Sequence, residues 1–443
     1  MNAEVRPIKT AAESALAASF GAAKAALPGA GSVAALREEA FGRFERHGLP
    51  SRRVEDWKYT DLRAAMRDAL PLAGAPDALA RARVKQAGAL LAELEARRIV
   101  FVDGAFVAEL SDLADLEPGL AVGSMAAALA TGDPLIAAHL GKVAPSEDVA
   151  IALNTAFMGD GAVIRVAAGA ALARPIHLVF GNSGLRPAAI FPRSLIVVEQ
   201  GARAMVVESH EGPAECADQV NAAVELAVGD EAHFDHVKLT GAGAGALHLW
   251  TLMANVGARA RFNAFLFTTG GAVVRNQLFV RFAGEDTVAG IRGATLLKGS
   301  QHADVTLFAD HAAPACTSRE MFKSVLDDSG RSIFQGKIIV RRGAQKTDAR
   351  MATHALLLTD TAEADNKPEL EIYADDVQCG HGATAGSLDQ DLLFYLKARG
   401  IPDKEAETLL IQAFVGEAVD GIEHAGLRDA LMDHVAGWLQ ARA

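Results

Sequence analysis

The residue pair best suited to chemistry is Cys379 and His381, which are separated by a single glycine. Alternating apolar and charged residues just before the pair, from Glu371 to Val377, predict that this segment begins as a β-strand. Residues two apart on a strand point to the same face, so the sulfur and the imidazole would lie side by side. A thiolate beside an imidazole is a metal-binding or redox pair. The glycine that follows each of them would let a second chain or a ligand approach closely.

The pair cannot form a complete metal site alone, because two ligands do not fill a tetrahedral shell. A partner would have to supply the remaining ligands. The simpler interpretation of the residues is a small buried thiol and a hydrogen-bonded structural histidine, and both interpretations stay open at this level. Glu371, Asp375 or Asp376 could orient the histidine, although solvated strand-edge charges are the simpler interpretation of these carboxylates.

The composition argues against several classes of partner. The 443 residues carry a net charge of −12, which disfavours a nucleic-acid or anionic-membrane surface. No apolar run is long enough to predict a membrane span. The N-terminus contains Glu4 and Glu13 and lacks an apolar core, so no targeting peptide is predicted. The cysteines, Cys216, Cys316 and Cys379, form no disulfide or zinc pattern, which fits a reducing cytoplasm, and the first two are expected to be passive.

Two regions precede the main body of the chain. Residues 1–96 are predicted to be a helical region, with one helix that Ser32 can cap and Gly48 ends, and another from Ala78 to Ala96. Residues 97–148 are predicted to be a hairpin and helical connector. Its Asp103-Gly104 pair between apolar runs is a strong hairpin signal. Helical pieces follow near 124–142 and are broken at Gly132-Asp133-Pro134.

Residues 149–387 are predicted to be the β core. Short apolar runs alternate with Gly and Asp, and Gly201, Gly229, Gly257 and Gly284 recur at intervals of 28, 28 and 27 residues. A glycine-cornered repeat of short strands without long helical patterns favours a β-solenoid, whose stacked coils hide strand edges except at the two ends. A β-sandwich is the competing interpretation, which explains the strands but not the regular glycine spacing.

Residues 388–443 are predicted to be a C-terminal helical domain. One helix ends at Gly400, the next begins at Ile401-Pro402, and the last runs from about Leu427 to Leu439. The apolar stripe of the middle helix must serve internal packing at least in part.

Several segments resemble the SufB/SufD family of iron–sulfur cluster assembly proteins. They are residues 369–384 (ELEIYADDVQCGHGAT), 52–62 (RRVEDWKYTDL), 153–166, 334–348 and 395–417. The resemblance implies a mainly β fold, with a right-handed parallel β-helix core between N-terminal and C-terminal helical regions. A histidine at 381 within Cys-Gly-His-Gly-Ala-Thr is similar to SufD rather than SufB members of the family.

The resemblance also implies a function and partners. The chain would be a non-catalytic scaffold that pairs with a SufB-like subunit through the β-helix and binds a SufC-like ABC ATPase, and it could form a homodimer when expressed alone. His381, and less strongly Cys379, would serve iron–sulfur assembly or iron binding at the shared interface, with no cluster held permanently by this chain. The residues that correspond to the ATPase-docking segment are Tyr395, Leu396, Arg399, Gly400, Ile401, Phe414 and Glu417.

The alternative function is a β-helix carbohydrate lyase or hydrolase. Such enzymes need paired carboxylates or a basic residue in a groove and usually aromatic platforms. The chain has only three Trp and three Tyr, which counts against this alternative. No P-loop sequence is present, so ATP hydrolysis would belong to a partner. Nothing in the sequence marks a flavin pocket.

Overall fold

The fold is a β-solenoid of about eight turns with helices at both ends, as a computed structural model of the chain shows. Residues 9–143 and 148–442 are described, and strands account for 37% of the structure against 27% for helices. The predicted fold class is therefore confirmed. Residues 1–8, which include Glu4 of the predicted non-targeting N-terminus, lie outside the described residues.

The N-terminal helices differ from the prediction at two points. They are α1 (Ala11–Ala23), α2 (Ser32–His47), α3 (Leu62–Ala65) and α4 (Ala78–Val84). Ser32 does not cap α2: Gly31 occupies the cap position without a side-chain hydrogen bond. The helix expected to reach Ala96 ends at Val84, because Gly88 adopts a left-handed conformation (φ 78°) and a short 3₁₀ helix follows. The Gly88 N–H instead donates to the Glu211 carboxylate.

The connector contains α5 (Met125–Thr131) and α6 (Pro134–His139), as predicted, and then α7 (Val149–Phe157). The expectation that strands begin near Val149 is wrong for α7. All nine residues of α7 are buried, and a short apolar run of this kind cannot be assigned to helix or strand by its periodicity. The tertiary structure stabilises α7 through Asn154, whose amide donates to the carbonyls of Pro192 and Asn221 at 2.9 and 2.7 Å.

Two sheets of 10 strands each form the walls of the solenoid. The first contains, in spatial order, β2 (Ala105–Phe106), β1 (Arg97–Val102), β5 (Ile176–Gly181), β8 (Arg203–Glu211), β10 (His233–Gly241), β12 (Arg261–Thr268), β14 (Val288–Leu297), β16 (Thr317–Leu326), β18 (Asp348–Leu357) and β20 (Gln378–Gly386). The second contains β19 (Glu363–Ile372), β17 (Arg331–Val340), β15 (His302–His311), β13 (Val273–Phe282), β11 (Leu247–Val256), β9 (Gln219–Val228), β7 (Arg193–Val198), β4 (Ala162–Val166) and β3 (Leu120–Ser124), with β6 (Ala189–Ile190) beside β9.

The two ends of the solenoid are built differently. At the N-terminal end, β2 pairs antiparallel with β1, and β3 pairs antiparallel with β4, whereas the successive coils pair in parallel. The hairpin predicted at Asp103-Gly104 is thus confirmed. At the C-terminal end, β19 and β20 are the last strands of their sheets within the described part of the chain. One edge of each is therefore open to another strand.

The glycine repeat marks one corner of the coil, as predicted. Gly201, Gly229, Gly257 and Gly284 each lie between the end of one strand and the start of the next. Packing at this corner is close: a Cβ added to Gly229 would lie 2.7 Å from the Gln200 backbone nitrogen. A side chain at this position would push adjacent coils apart, which explains why glycine recurs at this corner.

The interior holds charged groups as well as an apolar core. Lys238 is 1% exposed and donates to Thr240 Oγ1 at 2.6 Å and to Asn276 Oδ1 at 2.8 Å. Its ammonium lies 5.0 Å from the centre of the Trp250 ring, and the Trp250 indole N–H donates to Glu208 at 2.9 Å. Desolvation lowers the pKa of Lys238 to about 7.

The C-terminal region consists of α8 (Gln390–Ala398), α9 (Asp403–Val419) and α10 (Ala425–Gln440), close to the predicted helices. α9 and α10 pack on the outer face of the first sheet through a shared apolar cluster that includes Ile411, Val415 and Leu431. α8 buries none of its own residues.

Candidate functional site

The last strand of the first sheet, β20, positions the predicted pair. Strand β20 begins at Gln378, and residues 373–377 form the turn before it. The prediction that one strand runs from Glu371 into the pair is therefore wrong for residues 373–377. Cys379 and His381 nevertheless both lie on β20. Asp375 and Asp376 are exposed residues of this turn and not strand residues, contrary to the prediction.

Register shows which face of β20 carries the pair. Cys379 pairs with Ala349, and His381 pairs with Met351, on β18. Ala349 and Met351 belong to the apolar cluster inside the solenoid and are 0% and 2% exposed. In a parallel ladder, paired residues point to the same face. The thiol and the imidazole therefore project from the inner face of the coil, at the end where no further coil covers them in the described chain.

The pair is accessible from solvent. Cys379 is half-buried against the interior cluster, whereas His381 is exposed. An open depression of about 390 Å³ is lined by Arg350, Met351, Gln378, Cys379, Gly380 and His381. A Cβ added to Gly380 or Gly382 would meet no atom within 4 Å. The surface around the imidazole can therefore receive a second molecule without clashes.

Electrostatics keep the thiol protonated in this chain alone. Burial raises the pKa of Cys379, a hydrogen bond with the Ala349 backbone partly offsets that rise, and the charges of Asp348 and Glu320 add to it. A thiol becomes a good metal ligand or nucleophile only as thiolate. A cation, a metal ion or a partner residue would have to promote the loss of its proton.

Glu320 is a buried carboxylate beneath the pair that the sequence analysis did not single out. It pairs with Met351, which pairs with His381, so the three residues are aligned across β16, β18 and β20. Glu320 is 2% exposed, and neither carboxylate oxygen makes a hydrogen bond of normal geometry. Desolvation raises the pKa of Glu320 to about 7, and the hydroxyl of Ser318 and the charge of Arg319 offset only part of that rise.

The metal-binding capacity of the pair is limited. Within the described residues, groups of three His, Cys, Asp or Glu side chains whose ligand atoms lie within 4.8 Å of one another include neither Cys379 nor His381. The carboxylates considered as orienting partners are engaged elsewhere: Glu371 accepts from Lys337 at 3.0 Å, and Asp376 pairs with Lys346. The chemistry open to this chain is thus a soft sulfur and an imidazole nitrogen offered to a shell that another molecule completes.

The other cysteines have local partners. Cys216 is buried and its thiol lies 2.7 Å from the Asp218 carboxylate, and burial raises the pKa of Cys216 to about 12. Cys316 is buried within the solenoid cluster, and burial raises its pKa as well. Both thiols are protonated at neutral pH, which is consistent with a passive role.

The residues predicted to dock an ATPase do not all lie on one free surface. Tyr395, Arg399 and Gly400 are exposed, and Leu396 and Ile401 are partly buried. Phe414 and Glu417 instead contact Lys323 of β16: the ammonium lies 4.3 Å from the centre of the Phe414 ring and 2.5 Å from a Glu417 oxygen. These two residues hold α9 against the solenoid. Phe394, which no sequence motif indicated, is 73% exposed on α8 beside Tyr395.

Comparison with known proteins identifies the family. The model of the SUF system FeS cluster assembly SufBD core domain matches residues 179–414, and the model of the SufBD protein N-terminal region matches residues 23–178. The chain belongs to the SufBD family. The core match includes the Cys379 and His381 pair, and the two matches together run from the end of α1 through the solenoid to most of α9.

Individual SufBD relatives match over most of their length. The iron–sulfur cluster assembly protein SufD of Escherichia coli is 31% identical, over 88% of this chain and 89% of its own. A SufBD family protein of Synechocystis is 32% identical over 88% and 87%, and the chloroplastic protein ABCI7 of Arabidopsis thaliana is 30% identical over 79% and 75%. These matches favour iron–sulfur assembly over the carbohydrate-enzyme alternative. Among the described residues, no helix combines the length and apolar character needed to cross a bilayer.

Proposed function

We propose that this chain is a non-catalytic scaffold subunit for iron–sulfur cluster assembly, with His381 and Cys379 contributing to a site completed by a partner. The observation that carries the proposal is the position of the pair on the inner face of the last coil, where the two side chains meet open space. The nascent cluster, or iron on its way into one, is the cargo of this site. His381 is the main candidate for the iron-binding residue, because its imidazole is exposed and the Cys379 thiol is protonated.

A SufB-like subunit is the proposed partner at the open end. β19 and β20 offer unpaired edges on which a neighbouring chain can add strands to both sheets. Such pairing would also cover interior residues that are only half-buried, such as Leu370 and Val377. The same edges can pair with a second copy of this chain, which explains why we expect a homodimer when the partner is absent.

A SufC-like ATPase is the proposed partner of the C-terminal helices. α8 buries no residue of its own and exposes Leu392, Phe394 and Tyr395, and the Arg399 guanidinium lies 4.6 Å from the centre of the Tyr395 ring. An exposed aromatic cluster of this kind suits a protein interface. ATP-driven movement of the docked helices would reach β16 and the last coils through the Lys323 contact with α9, and would open the interface for assembly.

The proposed location is the cytoplasm. The three cysteines are free in the structure, as expected where thiols stay reduced.

The decisive experiment is His381→Ala in the chain co-expressed with a SufB-like and a SufC-like subunit. An exposed side chain contributes little to folding, so we expect the complex to assemble normally and the unfolding temperature to be unchanged. Loss of a ligand should lower cluster content and the rate of cluster formation roughly tenfold. Iron, sulfide and the visible absorption of the purified complex are the measurements.

His354→Ala is the matched control. His354 lies on the neighbouring strand β18 and hydrogen-bonds to Thr384 Oγ1 at 2.7 Å. It pairs with Lys323, which faces α9, so it lies on the outer face rather than the inner one. This variant should retain cluster content. Wild-type cluster formation by His381→Ala would show that His381 has no role in assembly.

A further inference from the structure

A second group of metal-binding side chains lies on the outer face of the solenoid. His233 and Asp235 are two residues apart on β10, and Glu423 lies in the turn between α9 and α10. The His233 Nε2 atom is 3.5 Å from Asp235 Oδ1 and 3.9 Å from Glu423 Oε2. The three ligand atoms lie within 4.8 Å of one another, which holds for only this group of three among the described residues.

The distances suit a shared ion. Zinc bonds to imidazole nitrogen and carboxylate oxygen are about 2.0–2.2 Å long, so neighbouring ligand atoms of a tetrahedral shell lie about 3.3–3.5 Å apart. The His233–Asp235 distance of 3.5 Å already meets this value, and the His233–Glu423 distance of 3.9 Å exceeds it slightly. Glu423 is more than half exposed, so its side chain can rotate toward the ion without disturbing the core.

An independent observation points to a missing ligand. The His233 Nε2 atom is buried and makes no hydrogen bond, although two carboxylates lie near it. A buried polar atom without a partner is unfavourable, because it has lost its hydrogen bonds to water without replacing them. A metal ion bound to this nitrogen would remove that penalty and would bring the two carboxylates together.

The surroundings can complete the coordination shell. The Asn263 amide donates to Asp235 Oδ1 at 2.7 Å, which holds the carboxylate in place as outer residues do in metal sites. A cavity of about 50 Å³ adjoins Asp235, Asn263 and Glu423. It has room for one or two water molecules, which could serve as the remaining ligands.

Nearby arginines oppose a cation at this position. Arg261 Nη1 lies 3.7 Å from Glu423 Oε1, Arg292 lines the small cavity, and Arg203 pairs with His233 across β8 and β10. The Arg261–Glu423 pair is more than half exposed on both sides and therefore weak. Arg261 would compete with a metal ion for the Glu423 carboxylate, and this competition provides a test.

We propose that His233, Asp235 and Glu423 bind one divalent transition-metal ion, which fastens the α9–α10 turn to β10. One imidazole and two carboxylates form a set suited to Zn²⁺, Mn²⁺ or Fe²⁺, and less suited to Mg²⁺ or Ca²⁺, which prefer oxygen ligands alone. The site lies apart from the Cys379 and His381 pair and does not depend on the function proposed for that pair.

Zinc titration of the full-length protein tests the site. The parent for the test carries Cys379→Ala and His381→Ala, so that the exposed pair at the open end cannot bind the added zinc. After treatment with a chelator and its removal, Zn²⁺ affinity is measured by competition with a chromophoric chelator. We expect one zinc ion per chain, and an affinity loss of at least about tenfold in Glu423→Gln and in His233→Ala.

Arg261→Gln is the matched variant, and it should raise zinc affinity where the other two variants lower it. Removal of the competing cation should strengthen zinc binding and enlarge the rise in unfolding temperature that zinc produces. Hydrogen exchange in residues 420–424 should become slower when zinc is added to the parent but not to Glu423→Gln. Equal zinc affinity in the parent, Glu423→Gln and His233→Ala would overturn the proposal, as would the absence of any binding by Arg261→Gln.

Discussion

Glu320 is the residue whose position most changes the chemistry around the candidate site. It lies inside the solenoid, two strands below His381 in the same aligned row, where water cannot solvate its charge. Its pKa of about 7 means that it gains or loses a proton near neutral pH. Its charge, when present, raises the pKa of Cys379. Glu320 therefore links the protonation of the interior to the reactivity of the exposed end.

Stability should fall as pH rises because of Glu320. Its pKa in the folded chain is raised from 4.5 to about 7, so the folded state binds more protons than the unfolded state between these values. Stability is then lost progressively from about pH 4.5 to 7. Glu320→Gln should remove this dependence and raise the free energy of unfolding by roughly 3 kcal/mol above pH 7. Urea denaturation at pH 5 and pH 8 measures the difference.

Glu363→Gln provides the control for this prediction. Glu363 lies on β19 with a side chain that is 67% exposed, so its removal should leave the pH dependence unchanged. If Glu320→Gln keeps the slope of the parent protein, Glu320 is ionised normally in the folded chain.

At the scale of elements, α8 is a helix without a buried face. An isolated helix of nine residues is marginal in water, and helices in proteins owe most of their stability to packing. Its cap provides some support, because the Asp389 side chain accepts from the N–H groups of Asp391 and Leu392. The exposed Phe394 and Tyr395 rings supply the apolar surface that a partner would cover.

Tyr395→Asp should separate docking from folding. The side chain is 53% exposed, so the unfolding temperature of the chain alone should change little. A carboxylate buried at an interface without a partner is strongly unfavourable, so affinity for the ATPase should fall at least about thirtyfold. Surface plasmon resonance with the purified ATPase measures this loss.

Leu79→Asp on α4 is the control for docking, since Leu79 is 56% exposed on a helix far from α8 in the chain. Its ATPase affinity should equal that of the unchanged chain. Comparable losses in both variants would point to non-specific contact, and undiminished binding by Tyr395→Asp would exclude α8 as the docking helix.

At the scale of the whole molecule, the solenoid is asymmetric. The short antiparallel strands β2 and β3 end the sheets on one side, whereas the last strands on the other side, β19 and β20, are 10 and 9 residues long and offer longer parallel edges. Ile372 illustrates the open end: it pairs with the fully buried Val340, yet it is 43% exposed. An interior position without a covering coil is what a partner chain would bury.

Ile372→Asp should therefore weaken pairing at the open end. The charge would be buried in the complex but solvated in the free chain, so association with a SufB-like subunit should fall at least about thirtyfold at little cost in the stability of the single chain. Analytical ultracentrifugation of the mixed subunits, and of this chain alone for the homodimer, gives the measurement.

Val288→Asp is the matched control. Val288 has nearly the same exposure, 44%, and lies in the middle of the first sheet rather than at its open end. Association should be unaffected in this variant. Normal pairing by Ile372→Asp would place the partner interface elsewhere on the molecule.

Much of the architecture follows from local signals. Glycines at nearly constant spacing predicted the corners of the coils, because at Gly229, Gly257 and Gly284 the neighbouring coil lies too close for a side chain. The Asp103-Gly104 turn predicted the hairpin, because both residues adopt the positive φ that such a turn requires. Short-range spacing also placed Cys379 and His381 on one strand. The segment 149–157 was missed, because a helix buried on every side has no polar face to reveal its period.

Only the tertiary structure decided which face of β20 is the interior one and what lies beneath it. Alternation along a strand defines two faces but does not show which face is buried. That depends on the register in which each strand pairs with the strands of the neighbouring coils. Glu320 lies beneath His381 because strand pairing aligns them through Met351, and Glu423 lies beside His233 because the α9–α10 turn packs on β10. Both contacts join residues that are distant in the sequence. Such contacts leave no local pattern, because stacking of coils and docking of helices bring together groups that no spacing along the chain relates.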